Sequence, residues 1–254
     1  MKATNMAGPM GQFAVTPLKS LMIGGFDASF TNSSLWMAVA TVAIAIFLFV
    51  GTAKPQIVPG RWQAAVEYLY DFVRSMLDEN VGPEGRRFAP LIFSIFIFVL
   101  VCNLLGLIPW VGAFTPTSHV SVTFGLALLV FVIVCIVGFA RHGLHFFSLF
   151  WPHGSGILLG SFVFIIEVLS FLSRPFTLAI RLFANMTAGH VLLKVFGTFV
   201  VALGSFGALP YVFGVLPLAV NVALSALEVL IAVVQAYVFA LLASLYLNDA
   251  INLH

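Results

Sequence analysis

Glu167, Arg174, Arg181, Asn185, His190 and Lys194 all stand in EVLSFLSRPFTLAIRLFANMTAGHVLLK, inside a region that is otherwise apolar from about residue 157 to 200. Ionisable side chains at membrane depth each cost roughly 2.5–3.5 kcal/mol on insertion scales, and those that persist mark ion pathways. Arg181 is the sharpest of the set. A guanidinium cannot give up its proton in a protein, so Arg181 acts as a fixed positive charge and not as a relay. Such a charge needs water or a carboxylate. His190 and Glu228 differ from it in kind: both can titrate near neutral pH when their surroundings shift them, so a pair of them can exchange a proton.

Spacing turns these residues into faces. At about 100° per residue, Glu167, Arg174, Arg181 and Asn185 fall within roughly 40° of one line, with Thr177 bordering it. His190 lies nine residues past Arg181 and points to about the opposite side, with Lys194 near it. A second stripe runs through Asn221, Ser225, Glu228 and Gln235, at intervals of four, three and seven. Taken singly, Asn185 or Ser225 reads as an interhelical hydrogen bond; the combination of Arg181, His190 and Glu228 does not. If the two polar segments fold back near SFGALP, at 205–210, an antiparallel register sets Arg181 near Gln235 and His190 near Glu228. Gln235 can brace a guanidinium without neutralising it. Glu167 is 14 residues from Arg181, about 21 Å along a helix, and is expected nearer Arg174. Arg181 is therefore left without a permanent partner in its own chain, and its carboxylate is expected from another subunit.

The elements that position these residues belong to a membrane. The chain has 254 residues, 61% hydrophobic and only 8% charged, where a soluble domain carries about 25% charge. Its apolar runs exceed the roughly 18 residues of a spanning helix and lack the alternation of a barrel strand. The expected fold is an all-α membrane protein, a single integral membrane domain. Five membrane-crossing helices are expected at about 35–50, 88–108, 120–140, 157–200 and 211–247. The last two are long, strongly tilted or bent, and form a hairpin. Residues 157–200 as one helix measure about 66 Å against a hydrocarbon core of about 30 Å, and Pro175 and Pro217 offer places to bend.

Between the first two spans, Trp62, Ala65, Val66, Leu69, Val73 and Met76 share one face, and Glu67, Asp71, Arg74 and Asp78 occupy another. This is an amphipathic surface helix at about 61–80, expected to lie flat on the membrane, with a soluble helix packed on protein as the alternative. Lys54, Arg61, Arg74, Arg86 and Arg87 in the 51–87 loop, and Arg141 after the third span, put those loops on the cytoplasmic or matrix side. Pro109–Trp110 reads as an interfacial signal. Residues 1–33 are expected outside the bilayer, with no secretory signal peptide. The formal charge of +2 gives no reason to expect a nucleic-acid partner. Cys102 and Cys135 fall inside apolar spans and read as packing residues, neither metal ligands nor a disulfide. No nucleotide loop, cofactor motif or metal cluster is visible.

RLFANMTAGH at 181–190 and VVQAYVFALLASLYL at 233–247, with NLLGLIPW at 103–110 and FTPTSH at 114–119, resemble subunit a of the F-type ATP synthase. The resemblance covers nearly all of the chain beyond the first 30 residues or so, and its pattern looks more like alphaproteobacterial and mitochondrial members than like enterobacterial ones. It implies that Arg181 is the stator arginine and gate, with Asn185 and Gln235 its polar neighbours. It places His190 and Glu228 in an outer half-channel and Glu167 near a cytoplasmic one. At Gly106 some relatives carry a carboxylate that is absent here, so the second span is not counted as a channel contributor. The implied function is proton translocation through two offset half-channels, coupled to rotation of the c-ring. The implied partners are the c-ring, the peripheral-stalk b subunits, the rest of the synthase and the lipid bilayer. ATP chemistry is left to other subunits, and the implied location is the bacterial inner (plasma) membrane or, alternatively, the mitochondrial inner membrane. Two rival readings are an ion-coupled secondary transporter, which lacks support from any inverted repeat, and a purely structural scaffold.

Overall fold

A computed structural model describes residues 15–108, 115–150, 157–204 and 210–252, apart from residues 20, 21, 24, 25 and 28. Pro109–Trp110, Phe114 and nearly all of the expected turn at 205–210 lie outside the described residues. The helices are α1 (Asn32–Thr52), α2 (Arg61–Asn80), α3 (Ala89–Gly106), α4 (Val120–His142), α5 (Ile157–Gly204) and α6 (Pro210–Ile251). All but α2 are long and apolar enough to cross a membrane, which makes five such helices among the described residues. Assigned helix continues without interruption through Pro175 in α5 and Pro217 in α6.

Before α1 the chain makes two short antiparallel pairings that the sequence did not announce. β1 (Pro17–Lys19) pairs with β4 (Phe30–Thr31), and β2 (Met22–Ile23) with β3 (Phe26–Asp27). They deliver Thr31 to the start of α1, where its hydroxyl accepts a hydrogen bond from the backbone N–H of Ser34 at 3.3 Å, satisfying one of the open donors of the first turn.

By its contacts the chain divides into two compact units. One comprises Met1–Ile46, Phe98–His119 and Phe183–Ala236; the other comprises Phe47–Ile97, Val120–Leu182 and Tyr237–His254. In the second unit α2 turns Val66, Val73, Met76 and Leu77 inward and leaves Glu67, Asp71 and Arg74 exposed. Its neighbours are aromatic. Tyr70 meets Phe93 edge-on with ring centroids 5.4 Å apart, and Phe72 meets Phe96 and Tyr237 at 5.9 and 5.6 Å. Val66, Val73, Met76 and Leu77 on the apolar face of α2 are thus covered by protein. Trp62, expected on that face, is 63% exposed and meets Phe47 edge-on with ring centroids 6.3 Å apart. In the loop after α2, Arg86 lies 2.8 Å from Asp78 and holds that carboxyl below its usual range, chiefly through the hydrogen bond.

The core of the first unit is built from Val99, Leu100 and Cys102 on α3, Met186 on α5, and Ala232 and Ala236 on α6. Along α6 the residues Ala232, Ala236, Ala240 and Ala243 are all essentially inaccessible. Small side chains at helical spacing let backbones approach closely, which is how helices associate when lipid offers no hydrophobic contrast. The outward faces are the reverse. Phe162, Ile165, Leu169, Phe176 and Ile180 on α5, and Leu216, Val222 and Leu230 on α6, are all half exposed or more.

Candidate functional site

In the first unit, the helices that carry the two polar stripes run antiparallel. His190 meets Glu228, and seven residues further along α5, Gly197 faces Asn221, seven residues earlier on α6. One register accounts for both contacts, with its centre at about residue 209. Nδ1 of His190 lies 3.2 Å from Oε1 of Glu228, the meeting expected from the sequence register. Both side chains are buried, at 9% and 3% exposure for the residues. Gly189 makes the approach possible: a Cβ built on it would stand 2.8 Å from the same Oε1. Glu228 also forms one wall of an open cavity of about 700 Å³, whose polar lining includes Lys194, Thr198, Asn221 and Ser225. Both carboxylate oxygens of Glu228, and Oδ1 of Asn221, are buried without a well-directed hydrogen bond among the described residues. Buried polar atoms of this sort need a partner, and the cavity is where one can reach them.

The opposite side of the imidazole is also engaged, by a residue that sequence reasoning passed over. Nε2 of His190 lies 2.9 Å from the hydroxyl of Thr115, which is 5% exposed. Thr115 opens a 3₁₀ turn, Pro116–Ser118, that is staked from several directions. Thr117 donates to Oδ1 of Asn103 at 2.7 Å, and Asn103 donates to the carbonyl of Ala232 on α6 at 3.2 Å. Thr187 on α5 donates to the carbonyl of Ser118 at 3.3 Å, and Ser118 donates to the carbonyl of Thr115 at 2.7 Å. At the end of the turn, burial holds His119 below its usual pKa and so toward the neutral form. Gly106, at the end of α3, leaves room for Thr115: a Cβ there would fall 1.8 Å from its hydroxyl oxygen. The second span, discounted from sequence for lack of a carboxylate at Gly106, therefore does take part in the site. It supplies Asn103 as a brace and an empty place at Gly106.

In the second unit, Arg181 is exposed on α5, and among the described residues no carboxylate comes within 4 Å of its guanidinium. Glu167 is half-buried on the same helix and, among the described residues, has no cation within 4 Å. Arg174, expected near Glu167, meets Asp249 at 2.8 Å instead. Its guanidinium lies over the rings of Phe171 and Tyr246, 5.2 and 5.0 Å from their centroids. Seven residues of helix separate Glu167 from Arg174, about 10 Å of rise, which a side chain does not span when a nearer acid is on offer. The same unit joins Arg141 to Glu84 in an ion pair, and His142 to the carbonyl of Ile251 at 3.1 Å. Asn185, one helical turn past Arg181, is half-buried, and Gln235 is buried at 8% exposure; both belong to the first unit. The expected approach of Arg181 to Gln235 spans the two units and is carried forward as a proposal.

A family model described as ATP synthase A chain matches residues 34–248. The chain is 51% identical over 254 residues to ATP synthase subunit a of Paramagnetospirillum magneticum, covering 98% of this chain and all of that relative. It is 52% identical over 267 residues to ATP synthase subunit a of Zymomonas mobilis, with both chains covered in full. It is 49% identical over 250 residues to ATP synthase subunit a of Rhodospirillum rubrum, covering 98% of this chain and all of that one.

Proposed function

The chain belongs to the ATP synthase A chain family, and from that premise we propose that it forms the stationary proton path of a rotary ATP synthase. It is a multi-pass membrane component of that complex and serves ATP synthesis by moving protons. Its location is the bacterial inner membrane. It performs no chemistry on ATP itself. Its partners are the rest of the synthase: a c-ring against the Arg181 face, b subunits of the peripheral stalk, and lipid over the remaining apolar surface.

The observation that carries this reading is Arg181: a permanent cation on a membrane-crossing helix, exposed, and without a carboxylate among the described residues. A guanidinium in that position is stable only beside water or an acid of a neighbour. A c-ring acid that comes and goes meets the requirement. A proton enters through the cavity at Glu228, exchanges across the Glu228–His190 pair, and neutralises a ring carboxylate. Neutral, that carboxylate can face lipid and the ring turns; ionised, desolvation forbids it. The returning carboxylate gives up its proton on the other side near Glu167. Arg181, braced by Asn185 and Gln235, then holds the ionised form and keeps protons from crossing directly. A potential of 100 mV supplies about 2.3 kcal/mol per charge to this cycle.

The test is photo-cross-linking in native membranes from a benzophenone maleimide attached to single cysteines introduced at Thr177 or Ala184, exposed residues on either side of Arg181 on α5. The expected product joins this chain to a small ring-forming subunit. Cross-links only to lipid-exposed copies of other proteins, with coupled ATP synthesis retained in Arg181→Ala, would refute the assignment.

A further inference from the structure

We infer that Thr115 is a positioning residue of the proton path, whose hydroxyl fixes the imidazole of His190 so that Nδ1 faces Glu228. The inference rests on the proton-path reading above and adds a residue to it. An imidazole that passes protons must hold one ring orientation through both of its charge states, and the group on its far nitrogen decides whether it does. A hydroxyl suits that place because it both donates and accepts. With Nε2 unprotonated, Thr115 donates to it and the proton sits on Nδ1, toward Glu228. When the ring is an imidazolium, the hydroxyl rotates and accepts from Nε2–H. In both states Nε2 keeps Thr115 as its partner while Nδ1 faces Oε1 of Glu228, and flipping the ring would lose the contacts at 2.9 and 3.2 Å together.

The surroundings hold Thr115 to this task. Its turn is tied to α3 through Thr117 and to α5 through Thr187, is closed within itself by Ser118, and Asn103 on α3 is in turn bonded to α6, so the hydroxyl is held in place. Gly106 contributes only space, since any side chain at that position would occupy the place of the hydroxyl. A threonine buried for packing alone would have no need of either arrangement: valine has the same shape and none of the polarity.

The experiment compares Thr115→Val, Thr115→Ser and Thr115→Ala with the unchanged protein in the assembled complex in vesicles. It measures proton-driven ATP synthesis and, after removal of the catalytic head, passive proton flow. Thr115→Val is expected to slow proton flow about fivefold, the kinetic equivalent of one lost neutral hydrogen bond. Thr115→Ser, which keeps the hydroxyl and loses a methyl, should retain most of the rate. Within a His190→Ala background, Thr115→Val should slow flow no further. If valine preserves the rate and serine loses it, Thr115 is a packing residue and the inference falls. If Thr115→Val does not assemble, serine against alanine is the comparison: alanine slower than serine supports the inference, and equal rates overturn it. His190→Ala at full rate would remove the proton-path reading and this inference with it, whereas a slow His190→Ala beside a normal Thr115→Val removes the inference alone.

Discussion

Gly189→Ala isolates the geometry of the buried pair without touching either member. The new Cβ would lie 2.8 Å from Oε1 of Glu228, 3.1 Å from its Cδ and 3.3 Å from its Cγ. The close contacts run along the side chain as far as its Cγ, so the carboxylate is expected to shift by about 0.6 Å to reach ordinary contact at 3.4 Å. A retreat of that size opens the 3.2 Å pair with His190 toward about 3.8 Å, outside hydrogen-bond range. A displacement of that size between the two groups that exchange the proton should slow proton entry about tenfold. The cost to folding is smaller: overpacking of about 1–3 kcal/mol is partly offset by about 1 kcal/mol from replacing glycine inside a helix. Gly197→Ala is the matched control. It lies on the same helix and faces α6 in the same register, but its nearest neighbour, Nδ2 of Asn221, is 3.9 Å away. Although Gly197 lines the cavity, its new Cβ meets no atom of Glu228, so this variant should slow proton flow less than Gly189→Ala and gain a few tenths of a kcal/mol to about 1 kcal/mol in stability. Passive proton flow through head-stripped vesicles, normalised to the amount of chain assembled, distinguishes the two. Wild-type flow in Gly189→Ala, or equal slowing in both variants, would refute the reasoning, because only a displaced Glu228 separates them.

Arg181→Ala should abolish proton-driven ATP synthesis and permit a passive leak; coupled synthesis in membrane vesicles at the normal rate would contradict its role. Changing either His190 or Glu228 to an apolar residue should slow proton entry, and exchanging the two residues should restore more than either single change does, as read in the same vesicles. Arg174→Gln should lower the thermal stability of the detergent-solubilised complex, since the guanidinium is largely enclosed by Asp249, Phe171 and Tyr246. With Asp249 more than a third exposed, the loss should be about 1–2 kcal/mol, most of it from the ring contacts. Asp249→Asn alone should cost less, and a thermal shift equal to that of Arg174→Gln would show that the ion pair dominates.

Sequence alone determined the class of the molecule and its five spans, because each of these is local. Apolar length against bilayer thickness picks out a spanning helix wherever it stands, and a fixed 3.6-residue turn converts spacing into a face, so Arg181, His190 and Glu228 were legible one by one. Even the meeting of His190 with Glu228 could be read, since an antiparallel register centred near residue 209 pairs positions equidistant from that centre. Tertiary structure decided the rest. Thr115 lies 75 residues before His190, and no periodicity links a 3₁₀ turn to the far side of an imidazole on another helix. Arg174 was assigned to Glu167 on its own helix and found Asp249 on α6, because a guanidinium takes the acid that side-chain reach allows, and that depends on how helices pack. Gly106 looked like a missing carboxylate in the chain and proved to be room for a hydroxyl. What an absent side chain makes space for is a property of the neighbours, and only the folded chain supplies them.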